Sequence, residues 1–315
     1  MIKKDRKIIF ECSVGSKLYG TNRPDSDDDF MGVFLPSTED TLSLFPGPTE
    51  LSYDVKLSSG ERNTVGDVDR KYYSLQKFLL LAMQGQSKQL EMLFAPKNLW
   101  VQHTPEWEEV LSNLHLFLSQ NSVKPFIEFA ISQSHKAAVK GENLNLMRDL
   151  VSKLEILAPS KPLKSTLSTD MTSQLKMITL EDGCAGFELA GRKYLLSMKT
   201  KDFVARLKKL IEQYGTRSQK AASDGLDFKS LSHAYRLILE TETLLKTGVL
   251  SFPLPLEQVE FLKKVRAGLH DADHFTDLQN MKKSLSKISS PLPQETNVKA
   301  INEFCQKLLF NHLFK

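Results

Sequence analysis

The spacing of apolar side chains changes along this chain, from a period of two near its start to 3.6 further on. KIIFECSV, residues 7–14, is apolar with β-branched residues and stops at Gly15, which predicts a strand. SKLYGT reads as a short helical turn and NRPDS as a loop. DDDFMGVFLP alternates and then becomes apolar, as a second strand would. From Pro36 to Arg62 the composition is that of a loop, with LFPGPTE and LSSGERN as turn signals. GDVDRKYYSL predicts a third strand passing into a helix, with Ser74 as N-cap and Gly85 separating two helical pieces of SLQKFLLLAMQGQSKQLEMLF.

Beyond Pro105 the pattern is mostly helical. TPEWEEVLSNLHLFLSQ opens with Thr104 as cap, Pro105 at the first helical position and acids in the first turn. SVKPFIEFAISQSHKAAVKG predicts an amphipathic helix ended by Gly141, and residues 158–173 an exposed connection. Residues 176–198 predict a small hairpin, and helices are expected around 200–214, 227–247, 255–268 and 295–313. Trp100 and Trp107 read as core residues rather than base-stacking platforms. The expected architecture is α+β, with a mixed-sheet domain over 1–104 and a mostly helical domain over 105–315 that completes the cleft.

Composition narrows the class little. Hydrophobic residues make up 41% and charged residues 25% of 315, ordinary values for a soluble protein. No apolar run approaches the ~20 residues of a membrane helix, so no membrane partner is expected. Three scattered cysteines (Cys12, Cys184 and Cys305) form no disulfide or zinc pattern, and a cytoplasmic location is the simplest expectation. A net charge of +4 does not announce a nucleic-acid binder. Its distribution is more telling. Acids crowd the first quarter, whereas Lys193, Lys199, Lys201, Arg206, Lys208, Lys209, Arg217 and Lys220 gather later, as a solvated face or as a surface for a polyanion.

The chemistry concentrates in VGSKLYGTNRPDSDDDF, residues 14–30. Strand side chains alternate, so Asp27 and Asp29 are expected on one face with Asp28 pointing away. Two carboxylates that close repel each other unless a cation neutralises them, and magnesium prefers oxygen ligands while keeping substrate phosphates in its shell. Upstream, Gly15 lets a phosphate approach the backbone, and Ser16 offers a hydroxyl at the start of a helical turn. Phosphate cradle and metal-binding acids together predict a site for a nucleoside triphosphate with metal.

Gly15-Ser16, ten intervening residues and Asp27-x-Asp29 resemble the signature of the DNA polymerase β-type nucleotidyltransferases. The fuller run GSKLYGTNRPDSDDDFMGVF, with Tyr19-Gly20-Thr21, Ser26 and Gly32-Val33, is similar to the branch of predicted nucleotidyltransferases associated with RNA ligases. The likeness extends through residues 72–94 and again through YGTRSQK and residues 227–255. It implies a palm-like sheet domain and transfer of a nucleoside monophosphate from an NTP, ATP among the choices, to an acceptor hydroxyl, with release of pyrophosphate. It also implies that Ser16 contacts the distal phosphates and that Asp27 and Asp29 hold two magnesium ions, manganese being a substitute. A third carboxylate on a neighbouring strand is implied as well, with Asp69 first and Asp67 second. An RNA end is the favoured acceptor and an RNA ligase a candidate partner. A protein or small-molecule acceptor, or a non-catalytic nucleotide sensor, are the alternatives.

DFKSLSHAYRLILETE adds a second constellation. Lys229, His233 and Arg236 fall at i, i+4 and i+7, one stripe of a helix, and such a stripe makes sense opposite an anion. It is expected to reach nucleotide or acceptor phosphates, the plainer alternative being a solvated face. Arg217 is a lesser candidate of the same kind, and His135 and Lys136 fit a helix surface as well as the site. Glu91, inside an apolar helix, reads as a buried partner for a cation or as a residue supporting the site.

Overall fold

Seven residues of the first expected strand form β1 (Lys7–Ser13), with Ile9, Phe10 and Cys12 fully buried. A computed structural model describes residues 6–24, 26–55, 68–157, 159–180, 183–213, 227–270 and 273–314. Asp67, Arg217 and Lys220, and the side chains of His135 and Lys136, lie outside what is described. Strand β2 (Asp28–Leu35) runs antiparallel to β1, and β4 (Val68–Ser74) runs parallel to β2. β3 (Glu50–Val55) lines the other edge of β4, and β5 (Trp100–His103) pairs with β1. The result is a mixed five-stranded sheet in the order β3-β4-β2-β1-β5.

Helix α1 (Ser16–Tyr19) follows β1, and α2 (Thr38–Leu42) follows β2. α3 (Leu75–Met83) is capped by Ser74, whose hydroxyl accepts from the Lys77 N–H at 3.3 Å, and it buries Leu75, Phe78, Leu79 and Ala82. Gly85 separates it from α4 (Ser87–Leu93), as expected. Its φ is +70°, and a Cβ there would stand 1.5 Å from the Ser122 carbonyl oxygen. Only glycine fits both demands. Trp107 of α5 (Pro105–Ser112) stacks on Phe10 at 3.9 Å and meets Phe78 edge-on at 5.5 Å, which makes it core.

The chain divides into two units, one from residues 1–131 with 232–315 and one from 132–231. The expected boundary at 104 therefore falls inside the first unit, because the closing quarter of the chain supplies part of it. Its helices there are the rest of α9 (Phe228–Thr247), α10 (Leu256–Ala267), α11 (His274–Leu285) and α12 (Val298–Leu313).

The second unit holds most of α6 (Gln120–Leu154), then α7 (Thr169–Ser173), a three-stranded sheet and α8 (Thr200–Gln213). The expected hairpin is an antiparallel meander of β6 (Lys176–Thr179), β7 (Ala185–Leu189) and β8 (Arg192–Leu195). Phe187, Tyr194 and Phe203 meet at 5.0–5.6 Å and anchor a core with Leu144, Met147, Leu150 and Leu207.

Several local expectations are corrected. The stretch from Pro36 contains α2 and β3, because Ser37 and Asp40 form a capping box and Arg6 grips Asp40 at 2.6 and 2.8 Å. That buried fork draws the Asp40 carboxyl down to about 2. Gly141 does not end its helix, which runs on to Leu154 because Leu144, Met147 and Leu150 bury one stripe. Residues 158–173 are no bare connection, since Leu163 and Met171 are buried. β5 and α11 lack an expected counterpart. No helix among the described residues is long and apolar enough to cross a membrane.

Candidate active site

Asp29 on β2 and Asp69 on β4 are direct register partners in the parallel pair. Side chains of register partners emerge on the same face of a sheet, so both carboxylates project the same way. Both line a cleft of about 120 Å³ with Gly15, Tyr19, Lys71, Lys88 and Glu91. That volume suits a few waters, a metal or a phosphate group, but is well below the ~300 Å³ at which small-molecule pockets begin.

Gly15 shapes its wall. With φ +67° the backbone turns out of β1 directly beneath Asp29, and a Cβ at Gly15 would lie 2.8 Å from Asp29 Oδ2. The Val14 N–H donates to the Asp29 carbonyl at 2.9 Å and locks the two segments together. Ser16 begins the single turn of α1 immediately afterwards.

The other expected acids separate from this pair. β2 begins at Asp28, so Asp27 precedes the strand and is exposed, where it was expected on a shared strand face with Asp29. The preceding turn, with the Ser26 N–H donating to the Arg23 carbonyl at 3.0 Å, delays the extended segment by one residue. Asp28 points away as expected, to an ion pair with Lys17. Among the described residues, no three His, Cys, Asp or Glu side chains form a ready-made metal cage. Two carboxylates on one face nevertheless fit an ion that completes its shell with waters and substrate phosphates.

A family profile described as RlaP, RNA repair pathway DNA polymerase beta family, matches residues 1–314. The chain belongs to this family. It is also 30% identical over 286 residues to an uncharacterized 38.9 kDa protein of Enterobacteria phage T4, encoded in the nrdC-mobD intergenic region, with 84% of each chain covered.

Behind the cleft of this RlaP-family chain lies a buried charge network. Tyr19 donates its hydroxyl to Glu91 Oε2 at 2.5 Å. The Arg236 Nη1 donates to Glu91 Oε1 at 2.8 Å and to Glu240 Oε1 at 2.5 Å. Its Nη2 lies 2.8 Å from His233 Nδ1, and its guanidinium sits 3.7 Å from the Tyr19 ring centroid. Arg236 is only 4% exposed. Burial alone would depress the guanidinium, but Glu240 and Glu91 more than offset this and hold it charged. Burial pushes the Glu240 carboxyl up to about 8, and its Oε2 has no hydrogen-bond partner. Burial acts the same way on Glu91, yet Arg236 overrides it and keeps that carboxyl below its ordinary range.

The expected cationic stripe is corrected accordingly. Arg236 and His233 do face an anion, but the protein supplies it as Glu91 and Glu240, and Arg236 is spent internally. Lys229 is exposed and belongs to the second unit. Its N–H and that of Ser230 donate to Asp227 Oδ1 at 3.1 Å, which makes Asp227 the cap of α9. Sequence reasoning missed Lys88 and Lys71 as cleft cations. Lys88 and Glu91 stand at i, i+3 on α4, a spacing that was available. Lys71 pairs with Glu50 at 2.7 Å, which raises its pKa.

Proposed function

We propose that this chain is a metal-dependent nucleotidyltransferase that moves a nucleoside monophosphate from an NTP to an RNA end and releases pyrophosphate. The observation that carries the reading is the register pairing of Asp29 with Asp69 at one cleft, against the Gly15 corner. The family description, which names RNA repair and DNA polymerase beta, supports both reaction class and acceptor. The five-stranded sheet is then the palm-like part, with Asp27 as a further acid one residue before β2.

Asp29 and Asp69 would hold magnesium, which when bound supplies Lewis acidity and charge neutralisation at the reacting phosphate. In this reading Asp69 accepts the proton of the acceptor hydroxyl. The hydroxyl oxygen bonds to the α-phosphorus as the α–β bridging bond breaks, and pyrophosphate carries the electron pair away. Lys88 offsets the charge of that leaving group, Gly15 and Ser16 border it, and Glu91 with Tyr19 fixes the cleft wall. Positioning and charge compensation of this kind account for most of phosphoryl-transfer catalysis.

The test is incubation with labelled NTPs, magnesium and mixed RNA. Label should pass to RNA, and Asp29→Asn or Asp69→Asn should abolish transfer while changing stability by less than ~1 kcal/mol, because relief of carboxylate repulsion offsets lost contacts. NTP uptake without turnover would instead make the chain a sensor. Unfolding of both variants would recast the acids as structural.

A further inference from the structure

Charge is segregated between the two units. Residues 132–231 carry 17 Lys and Arg against 11 Asp and Glu, a net +6. The whole chain is +4, which leaves the first unit at −2. The acidic cleft and the basic excess therefore belong to different units.

Within the second unit the excess has a specific seat. The segment 159–164 runs antiparallel to 196–201, joined by Leu163 N–H to the Met198 carbonyl at 2.8 Å, Lys164 N–H to Leu196 at 2.9 Å and Thr200 N–H to Lys161 at 2.9 Å. A bridge between Pro162 and Lys199 lies at its centre. This seam gathers Lys161, Lys164, Lys199 and Lys201, all exposed. Arg206 and Lys209 continue it on the exposed side of α8, beside Asp202. Three other lysines of the unit are matched by acids: Lys153 with Asp149 at 2.6 Å, Lys176 with Glu188 at 2.9 Å, Lys208 with Glu155 at 2.5 Å. No ion pair among the described residues engages the four seam lysines. Four like charges carried on one paired backbone segment, with no ion-pair partner among the described residues, form a surface complementary to a polyanion.

We propose that this seam binds the phosphodiester backbone of the RNA acceptor. Lysine ammonium groups suit this role as point charges on phosphates, and they position an RNA without reading its sequence. The assignment rests on the proposed RNA acceptor but has its own readout, since binding is measured without NTP or metal.

The experiment is fluorescence anisotropy of a short labelled single-stranded RNA against the full chain across a sodium chloride series. Wild type should bind with affinity that falls steeply with salt. Replacing Lys161, Lys164, Lys199 and Lys201 together by Gln should weaken low-salt binding more than tenfold. It should also reduce the log–log salt slope by about 3, at about 0.7 per lost phosphate contact on a single strand. The paired variants Lys161→Gln with Lys164→Gln, and Lys199→Gln with Lys201→Gln, should each lose about half of that slope, which protects the test against a fold defect in the quadruple variant. Four changes in the first unit, Lys263, Lys264, Lys283 and Lys287 to Gln, serve as the control and should leave the slope intact. An unchanged slope in the folded seam variants, or an equal loss in the control, would overturn the proposal. So would seam-dependent binding to phosphatidylserine vesicles with none to RNA. Asp29→Asn should keep the full RNA slope while losing transfer, so failure of the catalytic reading is distinguishable from failure of this one.

Discussion

Replacing Arg236 by Met probes the network behind the cleft most directly. Methionine fills much of the same volume but removes the charge, both carboxylate bonds and the contact over Tyr19. Two buried acids then lose their cation. Glu240, pushed up to about 8, already holds its proton at neutral pH and contributes little further. Glu91 is 2% exposed and keeps only the Tyr19 hydroxyl, so it bears the main cost. Breaking a buried pair from one side costs about 3–5 kcal/mol, and that range is expected here. Guanidinium denaturation followed by far-UV circular dichroism reads it as a lower midpoint. Adding Glu91→Gln should restore part of the loss, with a coupling of about 1–3 kcal/mol in the double-mutant cycle. The recovered protein should still transfer nucleotide poorly, because Glu91 and Tyr19 line the cleft. A single-variant cost under ~1 kcal/mol, or strict additivity with Glu91→Gln, would refute a charge-compensated network.

Two further outcomes follow from the same geometry. The folded Glu240 carboxyl titrates near about 8 against an ordinary 4.5, so the folded state holds the proton more tightly and Glu240 contributes stability at low pH. That contribution is lost as pH rises from 4.5 to about 8. The Glu91 shift is downward and acts below this window, so between pH 5 and 8 Glu240→Gln should flatten the decline of thermal stability by up to about 1.4 kcal/mol per pH unit; an unaltered pH profile would contradict it. Gly15→Ala should cost about 1–2 kcal/mol for its left-handed backbone and weaken magnesium-dependent NTP uptake by displacing Asp29, which calorimetric titration can measure.

The sheet was readable because its strands are local and strongly patterned. KIIFECSV and DDDFMGVFLP became β1 and β2, and Ser74 and Gly85 marked the ends of real helices. Elements held by distant partners were not. β3 pairs with β4 from within a polar, glycine-containing stretch, and α2 depends on Arg6, 34 residues before Asp40. The same reason governs the site. Asp29 was legible from its neighbours, whereas the register that sets it beside Asp69 emerges only when β2 and β4 pair. Arg236 misled because a cationic stripe looks alike whether its anion is a ligand or a buried glutamate 145 residues away.

That separation has a consequence during synthesis. A ribosome delivers Glu91 long before its counter-ion, and the sheet unit needs residues that emerge only after the whole basic segment has been made. A chain still short of residue 236 therefore cannot bury Glu91 in charge-compensated form. A polypeptide stopped before residue 236 has Glu91 without the guanidinium that pairs with it in the folded chain.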